Sequence, residues 1–97
     1  MTGRQEAGTD GPIGRARDLA AAGRLTEAIA AFGRILAAQP GRLDALTGLA
    51  EAAWTLGQMK LAADCLRLAI RAQGEDFTLH HNLGNVLRRQ GDLAGAE

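Results

Sequence analysis

The sequence predicts an all-α protein, built as a stack of antiparallel helix pairs. Three observations lead to this prediction: alanine and leucine dominate the composition, there are only two prolines, and a pattern recurs every 34 residues. Two prolines leave room for several uninterrupted helices. Apolar residues at three- and four-residue steps are typical of helices with one buried face. A chain of 97 residues makes one small domain at most.

The repeat becomes visible when the chain is aligned with itself at an offset of 34 residues, where six columns agree without a gap. The glycine column predicts left-handed residues that end the first helix of each pair. Columns of small residues allow two helices to approach closely, and large apolar residues fill the seam between them. The columns are Gly23, Gly57 and Gly91; Ala28, Ala62 and Ala96; Leu25, Met59 and Leu93; Phe32 and Leu66; Ala16, Ala50 and Gly84; and Leu19, Ala53 and Leu87.

The helices follow a polar, glycine-rich segment over 1–11 that is expected to be a disordered tail. Pro40 ends the second helix and Gly74 ends the fourth. A final turn begins near Asp92, whose carboxylate can cap it. Because each pair exposes an apolar face that only the next pair can cover, the pairs are expected to stack. The five helices are predicted near 12–22, 26–39, 43–56, 60–73 and 77–90.

The repeating unit resembles the tetratricopeptide repeat, a 34-residue motif that runs tryptophan, leucine, glycine, tyrosine, alanine, phenylalanine, alanine, proline. Residues 23–40 are similar to the second half of a unit, and residues 79–96 to the first half. Residues 43–76 form a complete but looser unit. The matching residues are Ala28, Phe32 and Pro40; Leu83, Gly84 and Ala96; and Leu49, Ala62 and Ala69.

The resemblance implies a right-handed superhelical stack, an α-solenoid, of about two and a half repeats. Pro12 stands at the usual tryptophan position and Arg15 at the leucine position, so the first unit is atypical. The implied organisation is a tail over 1–11, a first repeat over 12–42, a second over 43–76 and an incomplete third over 77–97.

In this family the first helices of the pairs line a concave groove that holds a partner, and the resemblance implies the same here. Asn82 and Asn85 fall at positions that hydrogen-bond an extended peptide backbone in some families of these repeats. An amide suits that task as donor and acceptor, although surface asparagines also serve solubility alone. Trp54 is either a packing residue or a ligand anchor. The predicted partner-binding residues are Arg17, Asp44, Glu51, Trp54, His81, Asn82, Asn85 and Arg88, with Ile13, Thr47, Gly48 and Thr78 beside them.

Some members of the family grip the carboxylate tail of heat-shock chaperones with lysine and arginine. The corresponding positions here hold a single cation, Arg17, which argues against such tails. Arg88 together with Arg89 has two interpretations. The pair either stabilises a helix C-terminus through the macrodipole or contacts an anion.

Chemistry is predicted nowhere in the chain. Cys65 and His80 suggest a nucleophile and its base on neighbouring helices, but no third residue orients the histidine and no oxyanion donors are evident. A lone cysteine on a helix is usually a packing residue. His80 is expected at the buried tryptophan-like position and His81 on the groove side. Adjacent helical residues point about 100° apart, so these two histidines cannot chelate one metal. No catalytic, metal or cofactor site is therefore expected.

The charge balance and the lack of targeting signals argue against nucleic-acid-binding, secreted and membrane proteins. Eleven basic and eleven acidic residues cancel, and only three residues are aromatic. Both facts argue against nucleic-acid binding. A single cysteine requires no oxidising compartment. The first twelve residues lack the apolar core of a secretory signal, and no apolar stretch approaches a bilayer-spanning length. We therefore expect a cytoplasmic protein without a membrane partner.

The leading functional hypothesis is a non-catalytic scaffold that binds an extended or helical segment of a partner protein. The alternative is a substrate-recruiting fragment of a larger enzyme, since glycosyltransferases and sulfotransferases with such stacks contain units similar to residues 79–97. A third hypothesis is self-association through the last unit, where apolar residues are expected to lack a covering helix. We expect either that the natural chain continues past Glu97, or that two chains meet end to end or exchange helices to cover this surface. The expected uncovered residues are Leu83, Val86, Leu87 and Leu93.

Overall fold

The computed structural model describes residues 11–74 and 76–95, which form five α-helices and no strand. Short connections join the helices, so consecutive helices run antiparallel as neighbours. The all-α prediction is confirmed. The predicted tail lies outside the described residues except for Gly11, which begins the first helix. The helices are α1 Gly11–Ala21, α2 Leu25–Ala38, α3 Leu43–Leu56, α4 Met59–Gln73 and α5 Phe77–Gly95.

The core runs through the whole stack between the helices. Each helix packs against the next, and α1 also contacts α3. The small-residue column is buried at Ala28 and Ala62, and the large column at Phe32 and Leu66, as the repeat predicts. The stack measures 56 × 29 × 21 Å. Among the described helices, none is long and apolar enough to cross a bilayer. The right-handed superhelix and the repeat boundaries stay predictions.

Glycines end the helices where the repeat places them in the first two pairs. Gly23 has φ 83° and Gly57 has φ 90°, a left-handed conformation that glycine adopts at little cost. The amide of Gly57 donates to the carbonyl of Trp54 at 3.0 Å. Gly74, with φ 92°, ends α4, as predicted. The second helix stops at Ala38, shortly before Pro40.

The predicted end of the fifth helix is wrong. Helix α5 continues through Gly91 and Asp92 to Gly95, so Gly91 closes nothing and Asp92 starts no new turn. A reversal at Gly91 is favourable only where the following helix packs back on α5. No helix among the described residues packs back on α5 after Gly91. Continuing the existing hydrogen-bond ladder is therefore preferred.

The cap of α5 was not predicted from the sequence, and the residue buried in its first turn differs from the predicted one. Asp76 Oδ1 accepts a hydrogen bond from the amide of Leu79 at 3.0 Å, the arrangement of a capping aspartate. His80, expected to be buried, is exposed, and Leu79 is buried instead. The counterpart of His80, 34 residues earlier, is Leu46, which is buried in a helix packed between α2 and α4. Helix α5 packs closely on α4 alone among the described helices, so the His80 side has no such cover.

The four residues of the last unit that were expected to be uncovered differ in outcome. Leu87 is 39% exposed, as predicted. Val86 is buried, contrary to the prediction, because its side of α5 packs on the core shared with α4. Leu83 is half-buried against the same core, and the side chain of Leu93 lies outside the described residues.

Candidate partner-binding groove

The helices α1, α3 and α5 line one side of the stack, where two cavities adjoin. A cavity of about 440 Å³ lies between α3 and α5, and one of about 540 Å³ lies between α1 and α3. Both are lined by Thr47, Glu51 and Thr55 of α3. The two cavities therefore form one continuous surface, called the groove below, with α3 at its centre.

Helical spacing explains why α3 supplies the centre of the groove. Residues three and four apart lie on one face of a helix, and Asp44, Thr47, Glu51 and Thr55 follow that spacing. Of the eight predicted partner-binding residues, the structure brings six to the groove, while His81 and Arg88 do not line it. The six are Arg17, Asp44, Glu51, Trp54, Asn82 and Asn85.

Gly48 makes room for the floor of the α1–α3 cavity. A Cβ atom added to Gly48 would lie 2.6 Å from Cε1 of Phe32, well inside van der Waals contact. The Phe32 ring of α2 is buried and lines the same cavity. Sequence reasoning placed Gly48 at the groove but missed this constraint, because the two residues lie on different helices and nothing in the repeat couples them.

One acidic side chain of the groove is already paired within the chain. Arg42 grips the carboxylate of Asp44 with Nε 2.7 Å from Oδ1 and Nη2 3.2 Å from Oδ2, a bidentate geometry. These hydrogen bonds lower the pKa of Asp44. Partial burial opposes this shift, and the nearby positive charge of Arg17 lowers the pKa slightly further. Among the described residues, Glu51 has no such ion pair and its side chain is exposed.

Trp54 links α3 to α5 at the other end of the groove. The guanidinium carbon of Arg89 lies 5.0 Å from the centre of the Trp54 ring, a cation–π contact. Trp54 is half-buried, packs on the core and lines the α3–α5 cavity, so it is both a packing residue and a groove residue. Sequence reasoning chose Arg88 for the groove and missed Arg89, because the rotation of α5 decides which arginine faces α3.

Arg88 instead holds a neighbour on its own helix. Its Nη2 donates to Oδ1 of Asn85 at 2.6 Å, which leaves the amide hydrogens of Asn85 for another acceptor. Since α5 continues to Gly95, neither Arg88 nor Arg89 lies in its last turn. The macrodipole interpretation of this pair is therefore wrong.

The two remaining predicted residues, on the first turns of α5, differ in setting. Asn82 is exposed, and no hydrogen bond engages its amide within the described structure. His81 stacks on the exposed ring of Phe77, with ring centroids 6.1 Å apart and planes 17° apart. This stack lies outside the groove.

Cys65 has the packing role that its lone position predicts. The side chain is buried in the core, and burial, followed by the nearby Asp64 carboxylate, raises the pKa of its thiol to about 11. The thiol therefore stays protonated near neutral pH and is a poor nucleophile. The described residues contain no group of three or more histidine, cysteine, aspartate or glutamate side chains that could hold a metal ion.

Comparison with known proteins gives one match. A family model described as tetratricopeptide repeat matches residues 19–87. The matched range begins within α1, spans α2, α3 and α4 and ends within α5, so it includes the centre of the groove. No curated protein and no solved structure matches the chain.

Proposed function

The chain belongs to the tetratricopeptide repeat family, and on that premise we propose that it is a non-catalytic module that holds a segment of a partner protein in the groove. Repeats of this family generally serve as protein–protein interaction modules. The observation that carries the proposal is the merging of two cavities into one groove along α1, α3 and α5. A continuous groove suits a chain segment better than a compact small molecule.

The lining of the groove favours a peptide as its occupant. Asn82 and the amide hydrogens of Asn85 offer hydrogen bonds that suit a peptide backbone. Apolar side chains around Trp54 offer surface for a partner side chain. Both kinds of contact lie in the α3–α5 cavity, as expected for a segment that is held by its backbone and selected by its side chains.

We propose no catalytic residue in the groove. Cys65 lies in the core with a raised pKa, and the described groove residues include no cysteine or histidine. The comparisons lend no support to an enzyme fragment of the glycosyltransferase or sulfotransferase kind. A cytoplasmic location is proposed on the single cysteine, which needs no oxidising compartment.

The proposal is tested with 12-residue peptides selected from a random phage-displayed library on the wild-type protein. Changing both Asn82 and Asn85 to alanine removes two hydrogen bonds of about 0.5–1.5 kcal/mol each. Binding of the selected peptides, measured by fluorescence polarisation, should therefore weaken by about 5- to 150-fold. Helical content by circular dichroism should be unchanged.

The matched control is Gln73→Ala, which removes an exposed amide at the end of α4, away from the groove. It should leave peptide affinity at the wild-type value. Unchanged affinity in the double asparagine variant would move the site elsewhere, and Trp54→Ala would be the next variant to measure.

A second candidate function is self-association through α5, which a specific observation favours. Gly84 and Leu87 have counterparts in α3, Ala50 and Ala53, that are 5% and 0% exposed because α3 packs against α4. In α5 the same columns are open: Leu87 is 39% exposed, and no atom lies within 4 Å of a Cβ added to Gly84. We propose that α5 of a second copy covers this face, since a two-fold contact uses the same surface on both chains.

A further inference from the structure

We propose that the groove recognises a lysine or arginine side chain of the partner segment, and that Glu51 receives it. The inference rests on the proposed function and specifies the chemistry of the partner. Glu51 lines both cavities, so a side chain that enters the groove from either end reaches the same carboxylate. The occupant is an extended peptide segment with one basic residue in register with Glu51.

Glu51 is uncommitted, whereas Asp44, the other carboxylate that lines the groove, is engaged. Asp44 is held by Arg42, and no described partner pairs with Glu51. Outside the groove, Glu27 pairs with Arg24 at 2.5 Å. Lys60 and Arg67 both contact Asp64, and Asp76 caps α5. The open carboxylate of the groove is therefore the one that an incoming cation can use.

The hydroxyl groups of Thr47 and Thr55 lie one helical turn to either side of Glu51. Thr47 Oγ1 donates to the carbonyl of Leu43 at 3.0 Å, and Thr55 Oγ1 donates to the carbonyl of Glu51 at 3.0 Å. A hydroxyl has one hydrogen and two acceptor lone pairs. With the hydrogen used inside α3, each hydroxyl offers the groove an acceptor only.

These groups together match a cation. Glu51, Thr47 and Thr55 line the junction of the two cavities and present only oxygen acceptors from their side chains. Lysine and arginine side chains carry several hydrogen donors and no acceptor. The apolar stem of such a side chain can lie along Trp54 or Ala50 of the same lining.

Positive charges lie within and beside the groove. Arg17 of α1 lines the α1–α3 cavity, and Arg89 of α5 lies over Trp54. The Arg42–Asp44 pair is internally neutral. A basic partner residue is therefore repelled at both ends of the groove and attracted at Glu51, which fixes its register. An acidic or neutral residue is favoured beside Arg17.

The experiment repeats the random 12-residue phage selection on four proteins: wild type, Glu51→Gln, Glu51→Arg and Glu27→Gln. The last is the matched control, since Glu27 is an exposed carboxylate on α2 outside both cavities. Peptides selected on wild type and on Glu27→Gln should share an enriched lysine or arginine at one position. The enrichment should vanish on Glu51→Gln and change to aspartate or glutamate on Glu51→Arg.

A double-mutant cycle localises the contact. One wild-type-selected peptide and its basic-to-glutamine derivative are measured against wild type and Glu51→Gln by fluorescence polarisation. Each single change should weaken binding about tenfold, and the two together little more than either alone. The affinity of the basic peptide should fall as salt rises, and the derivative should lose most of that dependence.

The outcomes separate this inference from the proposed function. Peptides that depend on Asn82 and Asn85 but show no basic preference, or that bind Glu51→Gln as tightly as wild type, overturn the role of Glu51 and leave the interaction module standing. A wild-type pool rich in acidic residues would assign the selective contact to Arg17 and also overturn it. A selection without any peptide sensitive to the two asparagines overturns both.

Discussion

Polar side chains along the groove differ chiefly in whether they already form hydrogen bonds with other residues of the chain. Arg42 occupies both oxygens of Asp44, and Arg88 occupies the oxygen of Asn85. Glu51 and Asn82 have no such partner in the described structure. The free groups carry the binding proposals, because a group that must first break an internal hydrogen bond gains less from a partner.

At Gly48 we predict that a single added methyl group destabilises the fold. In Gly48→Ala the new Cβ overlaps the buried ring of Phe32, and overpacking of this kind costs about 1–3 kcal/mol. Replacing a helical glycine by alanine returns about 1 kcal/mol. The net effect should be a lower free energy of unfolding, measured by urea denaturation.

The matched control for Gly48 is Gly33→Ala, at an exposed glycine inside α2. No atom lies within 4 Å of a Cβ added to Gly33, so only the gain in helix propensity applies. This variant should be more stable than wild type by about 0.5–1 kcal/mol. Two variants of equal stability would mean that the Phe32 ring moves aside freely, and the proposed close contact would be abandoned.

At Cys65 we predict a loss of stability in alkaline solution. Burial raises the pKa of the folded thiol to about 11, whereas an unfolded cysteine ionises near pH 8.5. The folded state therefore binds the proton more tightly. Its contribution is fully present below the unfolded pKa and is lost as pH rises towards about 11. The free energy of unfolding should fall between about pH 9 and pH 11, by at most about 3 kcal/mol.

The composition makes this alkaline experiment unusually specific. The chain has no tyrosine and one lysine, Lys60, so few other groups titrate in the same range. Urea denaturation at a series of pH values compares wild type with Cys65→Ala, which should lack most of the decline. A decline of the same size in Cys65→Ala would show that Cys65 is not its source.

The site was predictable from sequence only as far as helical register allows. Six of the eight predicted residues reach the groove, because the repeat fixes which face of α1 and α3 turns towards it. Arg88 bonds to Asn85 on its own helix, and Arg89 contacts Trp54. The Gly48–Phe32 approach and the Arg42–Asp44 pair depend on distances between side chains, which periodicity does not encode.

At the level of the helices, a glycine predicted a helix end correctly where the next helix packs back on the one that ends. Gly23 and Gly57 adopt the left-handed conformation that the repeat predicts, and in both places the next helix packs back on the one just ended. Gly91 carries the same sequence signal, yet α5 passes through it. A glycine permits a helix to end, and the packing gained after the turn decides whether it does.

Across the whole molecule, the middle of the stack and its α5 end are not equivalent. Helix α3 packs between α2 and α4, whereas α5 packs closely on α4 alone within the described structure. Phe77 is 86% exposed and Leu87 is 39% exposed, whereas their counterparts in α3, Leu43 and Ala53, are half-buried and buried. Exposed apolar surface of this kind usually marks an interface.

We therefore predict that the 97-residue chain self-associates through α5 and that Leu87→Arg abolishes the association. Leucine and arginine have similar helix propensities, so α5 should stay intact while two like charges oppose each other across the two-fold contact. The control is Leu68→Arg, on α4 with a comparable exposure of 44%. Light scattering across a dilution series should show a mass that rises with concentration for wild type and Leu68→Arg, and a constant monomer mass for Leu87→Arg. A wild-type chain that is strictly monomeric and thermally stable would contradict the prediction, because α5 would then be stable with its apolar face in water. Association that survives in Leu87→Arg would place the interface elsewhere on the stack.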